Sequence, residues 1–348
     1  MRFYREKHKF TCGVDLHTRT MYLCILDADG EKVLQKNMPS TPAAFLSAIK
    51  PYREDLVIGV ECIFTWYWLA DLCRDEKIHF VLGHALYMKA ISGSKVKNDK
   101  VDAFKIACLV HSGMMPMAYD YPPEMRATRD LCRRRLHVVR IRAQLLGHIQ
   151  NSHYQYCMTP PTGKLLYKSN REGISETFTD PAMRKSVEID FEVIRTLDQQ
   201  IRDVELYLAN QAKAHDAFAF HLLRSIPGVG KILAMTLLYE IQDIARFKRV
   251  QDFASYARLI RPRKESAGKS YGTSCGKIGN VHLKWAFSEA SALFIARNPD
   301  GKKLMTRLEK KHPKRKALAV LSHKIGRTVW YMMQRGKPFD PERFYSTA

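Results

Sequence analysis

The sequence lacks the patterns that mark several common classes of protein. Its eight cysteines are scattered and form no Cys-x-x-Cys pair, which argues against a zinc ribbon and a disulfide framework, so we expect reduced thiols. No apolar run approaches the ~20 residues needed to cross a bilayer, and the first residues lack the apolar core of a signal peptide. These absences predict a soluble, intracellular protein.

Acidic residues are few relative to basic ones. The 348 residues include 57 Lys and Arg against 35 Asp and Glu, which gives a formal net charge of +22. The excess is uneven, because residues 1–120 carry 16 basic and 14 acidic side chains whereas residues 121–348 carry 41 and 21. Such a surplus favours a polyanionic partner, either nucleic acid or an anionic surface.

The amino-terminal third alternates between strand and helix patterns. A β-meander is predicted over residues 10–34, followed by helices and short buried strands in alternation. Prolines at 116, 122 and 123 then end the domain. The pattern predicts an α/β domain with a mixed sheet over residues 1–120.

The rest of the chain predicts helices. Residues 121–215 favour two long antiparallel helices, the second of which repeats apolar residues at heptad spacing. The repeating residues are Ile194, Leu197, Ile201, Val204 and Leu208. Because only two heptads are clean, a dimerising coiled coil and a hairpin within one chain are equally good interpretations. Residues 216–348 predict a basic, mostly helical domain with a start like a helix-hairpin-helix.

A glycine-containing turn opens this last domain at residues 225–231. Gly228 and Gly230 lie between two helix-like stretches, where the backbone can present N–H groups to a phosphate beside the charge of Lys231. The turn is too short for the phosphate-binding loop of an ATPase, which needs four residues between its glycines. A plain turn between two helices would explain the same residues.

Four acidic residues of the amino-terminal domain stand at strand ends or at a helix start. Asp15 lies in the first strand, Glu61 follows a buried strand, and Asp99 and Asp102 begin a helix. Since the carboxyl ends of adjacent strands converge on one crevice, these acids can meet in space. Four oxygen ligands suit a two-Mg²⁺ site at a phosphodiester. Each acid taken singly has an ordinary structural explanation, such as a helix cap or a partner for a surface lysine.

The histidines show no such grouping. His17, His282, His312 and His323 are isolated, and no three of them have the spacing of metal ligands. We therefore assign none of them as a ligand.

Several motifs occur here in the order in which one known family carries them. They are Gly13-Val14-Asp15, Gly59-Val60-Glu61, Lys97-Asn98-Asp99-Lys100-Val101-Asp102-Ala103, Ser225-Ile226-Pro227-Gly228-Val229-Gly230 and Arg261-Pro262-Arg263-Lys264-Glu265-Ser266-Ala267-Gly268-Lys269-Ser270. Over nearly the whole chain they resemble the insertion-sequence transposases of family one-ten. Those proteins join a RuvC-like DEDD domain of the RNase H fold to a C-terminal domain that carries a serine.

The resemblance implies a Mg²⁺-dependent transposase or recombinase that cleaves and rejoins DNA through a phosphoserine link. Asp15, Glu61, Asp99 and Asp102 match the family's metal ligands, expected to hold two ions, and Ser266 matches its nucleophile. The implied partners are double-stranded donor and target DNA, a structured bridge RNA and further copies of the chain in a dimer or tetramer, without a membrane. The implied location is the nucleoid in the cytoplasm of a prokaryote.

One departure from the family pattern and several rival hydroxyls bear on the serine. Ala267 follows Ser266 where the family commonly has glycine. Ser270, Thr273 and Ser274 are nearby alternatives, and most such residues merely form turns or bind phosphate.

The predicted nucleic-acid contacts combine a cationic face of the first long helix, the glycine turn and the cations around the serine. They are Arg133, Arg134, Arg135, Gly228, Gly230, Lys231, Arg261, Arg263, Lys264, Lys269 and Lys277. The cations nearest the serine are expected to hold the scissile phosphate, whereas a solvated basic face would explain any one run of them.

Two other functions account for part of the pattern. A RuvC-like nuclease or junction resolvase would use metal-activated water, so Ser266→Ala would leave its cleavage largely intact. A non-catalytic scaffold that binds RNA or DNA would keep every activity after Asp15→Ala or Asp99→Ala.

Overall fold

A computed structural model describes residues 2–91, 98–261, 263–273 and 278–346. The chain divides into two units, Met1–Pro123 and Glu124–Ala348. Within the described residues, every helix is either too short or too polar to span a membrane.

The described part of the first unit contains a five-stranded sheet, a separate pair of short strands and four helices. Its strands are β1 (Phe3–Tyr4), β2 (Phe10–Leu16), β3 (Thr20–Leu26), β4 (Lys32–Pro39), β5 (Leu56–Glu61), β6 (His79–Gly83) and β7 (Met115–Pro116). Its helices are α1 (Pro42–Ile49), α2 (Tyr67–Asp75), α3 (Ala85–Ile91) and α4 (Asp99–His111), with a 3₁₀ turn at Lys50–Asp55. The strand order is β4-β3-β2-β5-β6, and the short pair is β1 with β7. Strands β2, β3 and β4 pair antiparallel, whereas β2, β5 and β6 are parallel, so the predicted mixed sheet is confirmed.

Apolar packing covers both faces of this sheet. Side chains of β2 and β5 such as Val14 and Ile58 form one core with Phe45 of α1. On the opposite face, Gly13 and Gly59 lie against α4. The sheet is therefore enclosed between helices, which agrees with the continuous apolar run of β5 in the sequence.

The second unit is helical apart from one hairpin within its described residues. Its helices are α5 (Pro123–Gln155, starting at the unit boundary), α6 (Pro181–Arg224), α7 (Lys231–Ile241), α8 (Val250–Tyr256), α9 (Val281–Arg297), α10 (Pro299–Glu309), α11 (Lys314–Arg335) and α12 (Pro341–Ser346). Short 3₁₀ turns occur at Lys168–Asn170, Ser175–Thr177 and Ile244–Arg246. The hairpin pairs β8 (Arg263–Ser266) with β9 (Lys269–Thr273). The mostly helical second part was expected from the sequence, but the hairpin was not.

The long helices α5 and α6 lie antiparallel. The side-chain hydrogen bonds that join them include those of Arg135 with Glu205, Arg142 with Asp198, and His148 with Asp190. Successive residues of α5 thus contact residues progressively earlier in α6, so the two helices run in opposite directions. This confirms the predicted pair of long antiparallel helices. The α6 axis breaks at Asp216, whose φ of −160° and ψ of 84° are not helical. The Asp216 carboxylate accepts a hydrogen bond from the Ala219 amide at 2.7 Å and so caps the last turns.

The core of the second unit is built around α7. Its residues from Leu233 to Ile241 are all buried. They share one hydrophobic cluster with Phe287 of α9 and with Leu321 and Val329 of α11. Among these apolar residues, α7 carries one carboxylate, whose partners are described below.

Gly13 allows α4 to lie directly on β2, and this contact gives a first prediction. A Cβ at Gly13 would lie 2.2 Å from the carbonyl oxygen of Ala103 and 2.3 Å from the amide nitrogen of Ala107, both in the helix backbone. Because the backbone must move, we expect Gly13→Ala to destabilise the protein by about 1–3 kcal/mol or more. Urea unfolding measures the change.

The matched control for this substitution is Gly147→Ala in α5. Apart from the backbone of the helix itself, no atom of the described residues lies within 4 Å of an added Cβ there, so alanine should stabilise the helix by about 0.5–1 kcal/mol. A Gly13→Ala variant that unfolds at the wild-type urea concentration would contradict the close packing of α4 on β2.

Candidate functional site

Two of the four predicted acids stand side by side at the carboxyl end of the sheet. Val14 and Val60 are paired across the parallel strands β2 and β5, and Asp15 and Glu61 are the residues that follow them. Because side chains alternate along a strand, both acids belong to the face that α4 covers. The expected convergence of strand ends therefore brings these positions together.

Helix α4 brings the other two acids to the same end of the sheet. Asn98 caps the helix by accepting a hydrogen bond from the Lys100 amide at 3.0 Å. Asp99 and Asp102 fall in the first turn, where the helix dipole favours negative charge. The Asp102 carboxylate also accepts a hydrogen bond from the Lys105 ammonium at 3.1 Å.

His17 lies between two of these carboxylates. Its Nε2 is 3.3 Å from Oδ2 of Asp15 and 3.6 Å from Oδ1 of Asp99. One donor atom from each of Asp15, His17 and Asp99 lies within 4.8 Å of the other two, and we call these three residues the Asp15 cluster. Glu61 and Asp102 are not part of this cluster. Glu61 lies beside Asp15 at the same end of the sheet, and Asp102 lies with Asp99 in the first turn of α4.

The prediction that no histidine is a metal ligand does not anticipate the position of His17 between Asp15 and Asp99. No other histidine lies at the spacing of a metal ligand from His17, so the spacing among histidines does not indicate a role for it. The usable signal is its interval of two residues from Asp15, which places both side chains on one side of the strand end. A histidine two residues after a strand-end acid is therefore worth testing as a ligand.

The electrostatics of the Asp15 cluster fit a cation. Burial raises the pKa of the Asp15 carboxyl above its usual value, His17 opposes this, and the charges of Asp99 and Asp102 raise the pKa further. The Asp15 side chain is only 15% exposed. Carboxylate oxygens with one imidazole form a donor set that suits Mg²⁺ or Mn²⁺, and a divalent ion would offset the repulsion among the acids.

A second group of candidate ligands lies at the amino-terminal ends of the parallel strands. It consists of Glu6, His8 and His79. The Nδ1 of His8 is 2.5 Å from Asp55, and its Nε2 is 2.6 Å from the hydroxyl of Tyr4. Both ring nitrogens of His8 therefore take part in hydrogen bonds. We infer that this network has a structural role, because it links the segment that precedes β2 to the 3₁₀ turn that precedes β5.

Ser266 stands at the tip of the β8–β9 hairpin. The turn consists of Ala267 and Gly268, whose φ angles of 49° and 73° are both left-handed, as a two-residue turn between twisted strands requires. Alanine adopts the conformation that glycine prefers, at a cost of about 1 kcal/mol. Ser266 and Lys269 are directly paired and both exposed, so the two side chains share one face of the hairpin.

The base of the hairpin segment is fastened to the helical core. The Nε of Arg258 donates a hydrogen bond to the carbonyl oxygen of Gly279 at 2.9 Å. The backbone amide of Asn280 donates a hydrogen bond to the carbonyl oxygen of Tyr256 at 2.6 Å. The Asn280 side chain also caps α9, since its oxygen accepts from the amides of His282 and Leu283. These bonds hold together the two ends of the segment that carries the serine.

The carboxylate of α7, Glu240, is the centre of a buried polar network. Its side chain is 2% exposed and accepts hydrogen bonds from Arg133 at 2.6 and 2.9 Å, Arg129 at 3.1 Å and the Asn280 amide group at 2.7 Å. Burial alone would raise the pKa of Glu240, but the bonds from Arg133 and the charge of Arg129 outweigh it and lower the pKa to about 2. The network ties α5, α7 and the start of α9 together.

The predicted cationic contacts of α5 differ in their surroundings. Arg133 is bound to Glu240 and Arg135 to Glu205, so opposite charges within the protein offset both guanidinium groups. Arg134, between them, is exposed. Binding of nucleic acid by these three arginines stays a prediction, and Arg134 offers the most accessible charge.

The other predicted contacts lie around the glycine turn and the hairpin. Lys231, Arg261 and Lys269 are exposed, and Arg263 and Lys264 lie in β8. Lys277 lies outside the described residues, as do Ser274 and Lys97. The exposed positions are accessible to a phosphate.

The two glycines of the turn before α7 serve different needs. Gly228 has a φ of 86°, and a Cβ there would lie 2.5 Å from the backbone nitrogen of Phe294 in α9, so packing alone requires glycine. Gly230 precedes α7 as its N-cap, and within the described part of the chain an added Cβ there would have no atom within 4 Å other than those of its chain neighbours. Packing against α9 therefore explains why residue 228 is glycine. At Gly230 there is no side chain in front of α7, so the N-terminus of this helix is accessible to a phosphate.

Two family models match the chain and decide its family. A transposase model of the IS110 DEDD type matches residues 12–159, and a model described as the transposase IS116/IS110/IS902 family matches residues 220–306. The chain belongs to the IS110/IS116/IS902 family of insertion-sequence transposases. The resemblance expected from the motifs is confirmed, and so is the DEDD, RuvC-like character of the first unit.

Relatives of the chain carry matching names. The transposase for insertion sequence element IS1111A of Coxiella burnetii is 23% identical over 347 residues, which cover 94% of this chain and 90% of that protein. The transposase for insertion sequence element IS1533 of Leptospira borgpetersenii is 24% identical, with 71% and 72% covered. The pilin gene-inverting protein of Moraxella bovis is 32% identical over 123 residues, 34% of this chain and 38% of that protein.

Family membership establishes the broad activity of this transposase. Its substrate is DNA, and its reaction class is transposition or recombination. A DEDD-type domain also implies dependence on a divalent metal, which the donor set of the Asp15 cluster fits.

Proposed function

We propose that this transposase cleaves and rejoins DNA by Mg²⁺-dependent phosphoryl transfer, with Ser266 as the attacking group. The observation that most directly supports this chemistry is the meeting of Asp15, His17 and Asp99 at the end of the sheet. Glu61 and Asp102 complete the proposed ligand set. Two Mg²⁺ ions held there would supply positive charge to the attacking and leaving oxygens of a phosphodiester.

The hairpin supplies the proposed nucleophile. The Oγ of Ser266 forms a bond to phosphorus, its proton passes to solvent, and the bond from phosphorus to the departing DNA end breaks to leave a hydroxyl. Lys269 stands beside the serine on the same hairpin face, where its ammonium would stabilise charge on the attacked phosphate. Rejoining reverses the step, because a DNA hydroxyl attacks the phosphoserine and releases Ser266.

The proposed partners follow from this reaction and from the charge of the chain. The substrates are double-stranded donor and target DNA, and a structured bridge RNA selects them. The excess of basic residues after position 120 supports binding of such polyanions. We also propose a homodimer or homotetramer, acting at the nucleoid of a prokaryote.

Ser266→Ala tests the proposal through the covalent link. Because alanine has no oxygen to attack phosphorus, we expect this variant to form no protein–DNA adduct and to rejoin no strands. Adducts that survive denaturing electrophoresis on end-labelled donor DNA measure the effect. Ser270→Ala makes the same chemical change in the same hairpin and is expected to keep the adduct.

The alternative outcomes of this experiment separate the functions. Cleavage that continues in Ser266→Ala without any adduct would favour the nuclease that uses metal-activated water. An adduct that persists in Ser266→Ala and disappears in Ser270→Ala would contradict the proposal and identify Ser270 as the nucleophile.

A further inference from the structure

A cationic pocket lies in the second unit between one face of α11 and the chain that follows this helix. Its volume is about 510 Å³. The cationic side chains that line it are those of Lys324, Arg327, Arg335, Lys337 and Arg343. Asp340 is the one acid among its lining residues, all of which are described. We call this site the α11 pocket, and its charge suits an anionic ligand.

Lys324 is the side chain of this pocket that most needs an anion. Its Nζ is shielded from solvent and has no hydrogen-bond acceptor among the described residues. The ammonium lies 4.8 Å from the ring centroid of Phe344, a contact that stabilises a cation without neutralising it. Burial, together with repulsion from Arg307 and Arg327, lowers the pKa of Lys324. A buried ammonium without an acceptor is costly, and an anionic oxygen would offset that cost.

The cations of α11 are arranged in a row. Lys324, Arg327 and Arg335 share one face of the helix and span about 16 Å at 1.5 Å per residue. The guanidinium of Arg335 lies 5.0 Å from the ring centroid of Tyr331. A single phosphate ion would contact one part of such a row, whereas a nucleic-acid strand carries a phosphate every ~3.4 Å along a duplex. The length of the row therefore favours a chain of phosphates over an isolated one.

We propose that the α11 pocket binds the phosphodiester backbone of a nucleic acid, with Lys324 at its inner end and Arg327 and Arg335 along the strand. These residues are distinct from the contacts predicted by the sequence motifs. Binding is measured without strand cleavage, so failure of this proposal and failure of the proposed chemistry at Ser266 are distinguishable.

Charge-removing substitutions in the full-length protein test the pocket. We expect Lys324→Met and Arg327→Gln each to weaken binding of labelled duplex DNA or structured RNA by about tenfold or more at fixed salt. Each should also reduce the slope of log affinity against log salt concentration by about 1. The matched control is Arg315→Gln, an exposed arginine of α11 outside the pocket, which should keep the wild-type affinity within about threefold.

Thermal unfolding without nucleic acid provides a second readout. Lys324→Met keeps an apolar stem against Phe344 and removes the unpaired ammonium, so it should raise the Tm of the free protein. A merely structural lysine would instead lower the Tm when replaced.

The remaining outcomes identify the source of the phosphate or overturn the proposal. Loss of affinity for only DNA or only RNA would support the pocket and name its ligand. Wild-type affinity for both in Lys324→Met and Arg327→Gln would overturn it. A Tm rise caused by inorganic phosphate in the wild type and absent in Lys324→Met, with unchanged binding of DNA and RNA, would assign the pocket to free phosphate and overturn it as well.

Discussion

Asp15→Asn is expected to abolish strand cleavage while leaving the protein at least as stable as the wild type. The neutral amide is a poor ligand for a divalent ion, and loss of metal charge stabilisation worth several kcal/mol corresponds to ~10³-fold or more in rate. The same change relieves repulsion between Asp15 and the charges of Asp99 and Asp102. A drop in activity combined with undiminished stability is characteristic of a ligand position and opposite to the effect of a damaged core.

Three measurements distinguish these effects. Cleavage of donor DNA gives the rate, titration calorimetry with Mg²⁺ or Mn²⁺ gives the metal affinity, and thermal unfolding without metal gives the stability. Asp29→Asn, at an exposed position in the turn between β3 and β4, makes the same chemical change and should leave all three unaltered. Asp15→Asn that binds metal and cleaves DNA like the wild type would exclude Asp15 as a ligand.

The raised pKa of Asp15 gives this prediction a pH dependence. A carboxyl whose folded pKa exceeds its unfolded value binds more protons in the folded state, so the metal-free wild type should gain stability as the pH falls through the raised pKa. Asp15→Asn lacks this titration. The stability difference between the two proteins should therefore shrink as the pH approaches the usual value of 3.8.

Glu240→Gln is expected to destabilise the second unit by about 3–5 kcal/mol, the cost of removing one partner from a buried ion pair. The glutamine removes the negative charge that pairs with the guanidinium groups of Arg129 and Arg133, at a carboxylate that is only 2% exposed. It also weakens the bond to Asn280, which closes the base of the serine hairpin. Urea unfolding at neutral pH measures the loss.

The matched control for this substitution is Glu205→Gln, which also removes the partner of an arginine, Arg135. The Glu205 side chain is 32% exposed, so water can replace the lost charge and the expected cost is about 1 kcal/mol or less. Equal losses in the two variants would contradict the special role of the Glu240 network.

The low pKa of Glu240 also sets the pH range of its contribution. A folded pKa of about 2, below the ordinary value of 4.5, means that the stabilisation is complete above pH 4.5 and is lost as the pH falls through about 2. The shift corresponds to roughly 3 kcal/mol. The gap between wild type and Glu240→Gln should therefore narrow steadily below pH 4.5.

The sequence predicts the parts of the fold that local patterns determine. Strands β2, β3 and β5 appear as apolar runs because both faces of the sheet are covered, and α4 begins where Asn98 supplies a cap. Convergence of Asp15, Glu61, Asp99 and Asp102 on one sheet end follows from the same alternation of strands and helices. That these four bind metal stays a prediction, supported by the tight grouping of Asp15 and Asp99.

Features that depend on distant partners were not predictable. Glu240 is one acid in an apolar helix, and the arginines that bind it lie 107 and 111 residues away in sequence. The arginines of α5 look like free charge for the same reason, because the sequence shows cations without showing Glu205 or Glu240. The sequences of β8 and β9 lack the apolar alternation by which a half-buried strand is predicted, so the hairpin was not expected.

The direct contact between α4 and the glycines of β2 and β5 has a consequence for how accurately the metal ligands are held. Most helices rest on a sheet through an intervening layer of side chains, whose rotamer changes let the two elements slide. At Gly13 the backbone of β2 contacts the backbone of α4 directly, so no layer of side chains separates the two elements at this point. The separation between the carboxylates of the strand and those of the helix is thus limited by van der Waals contact between two backbones, which leaves the metal ligands little freedom to move relative to one another.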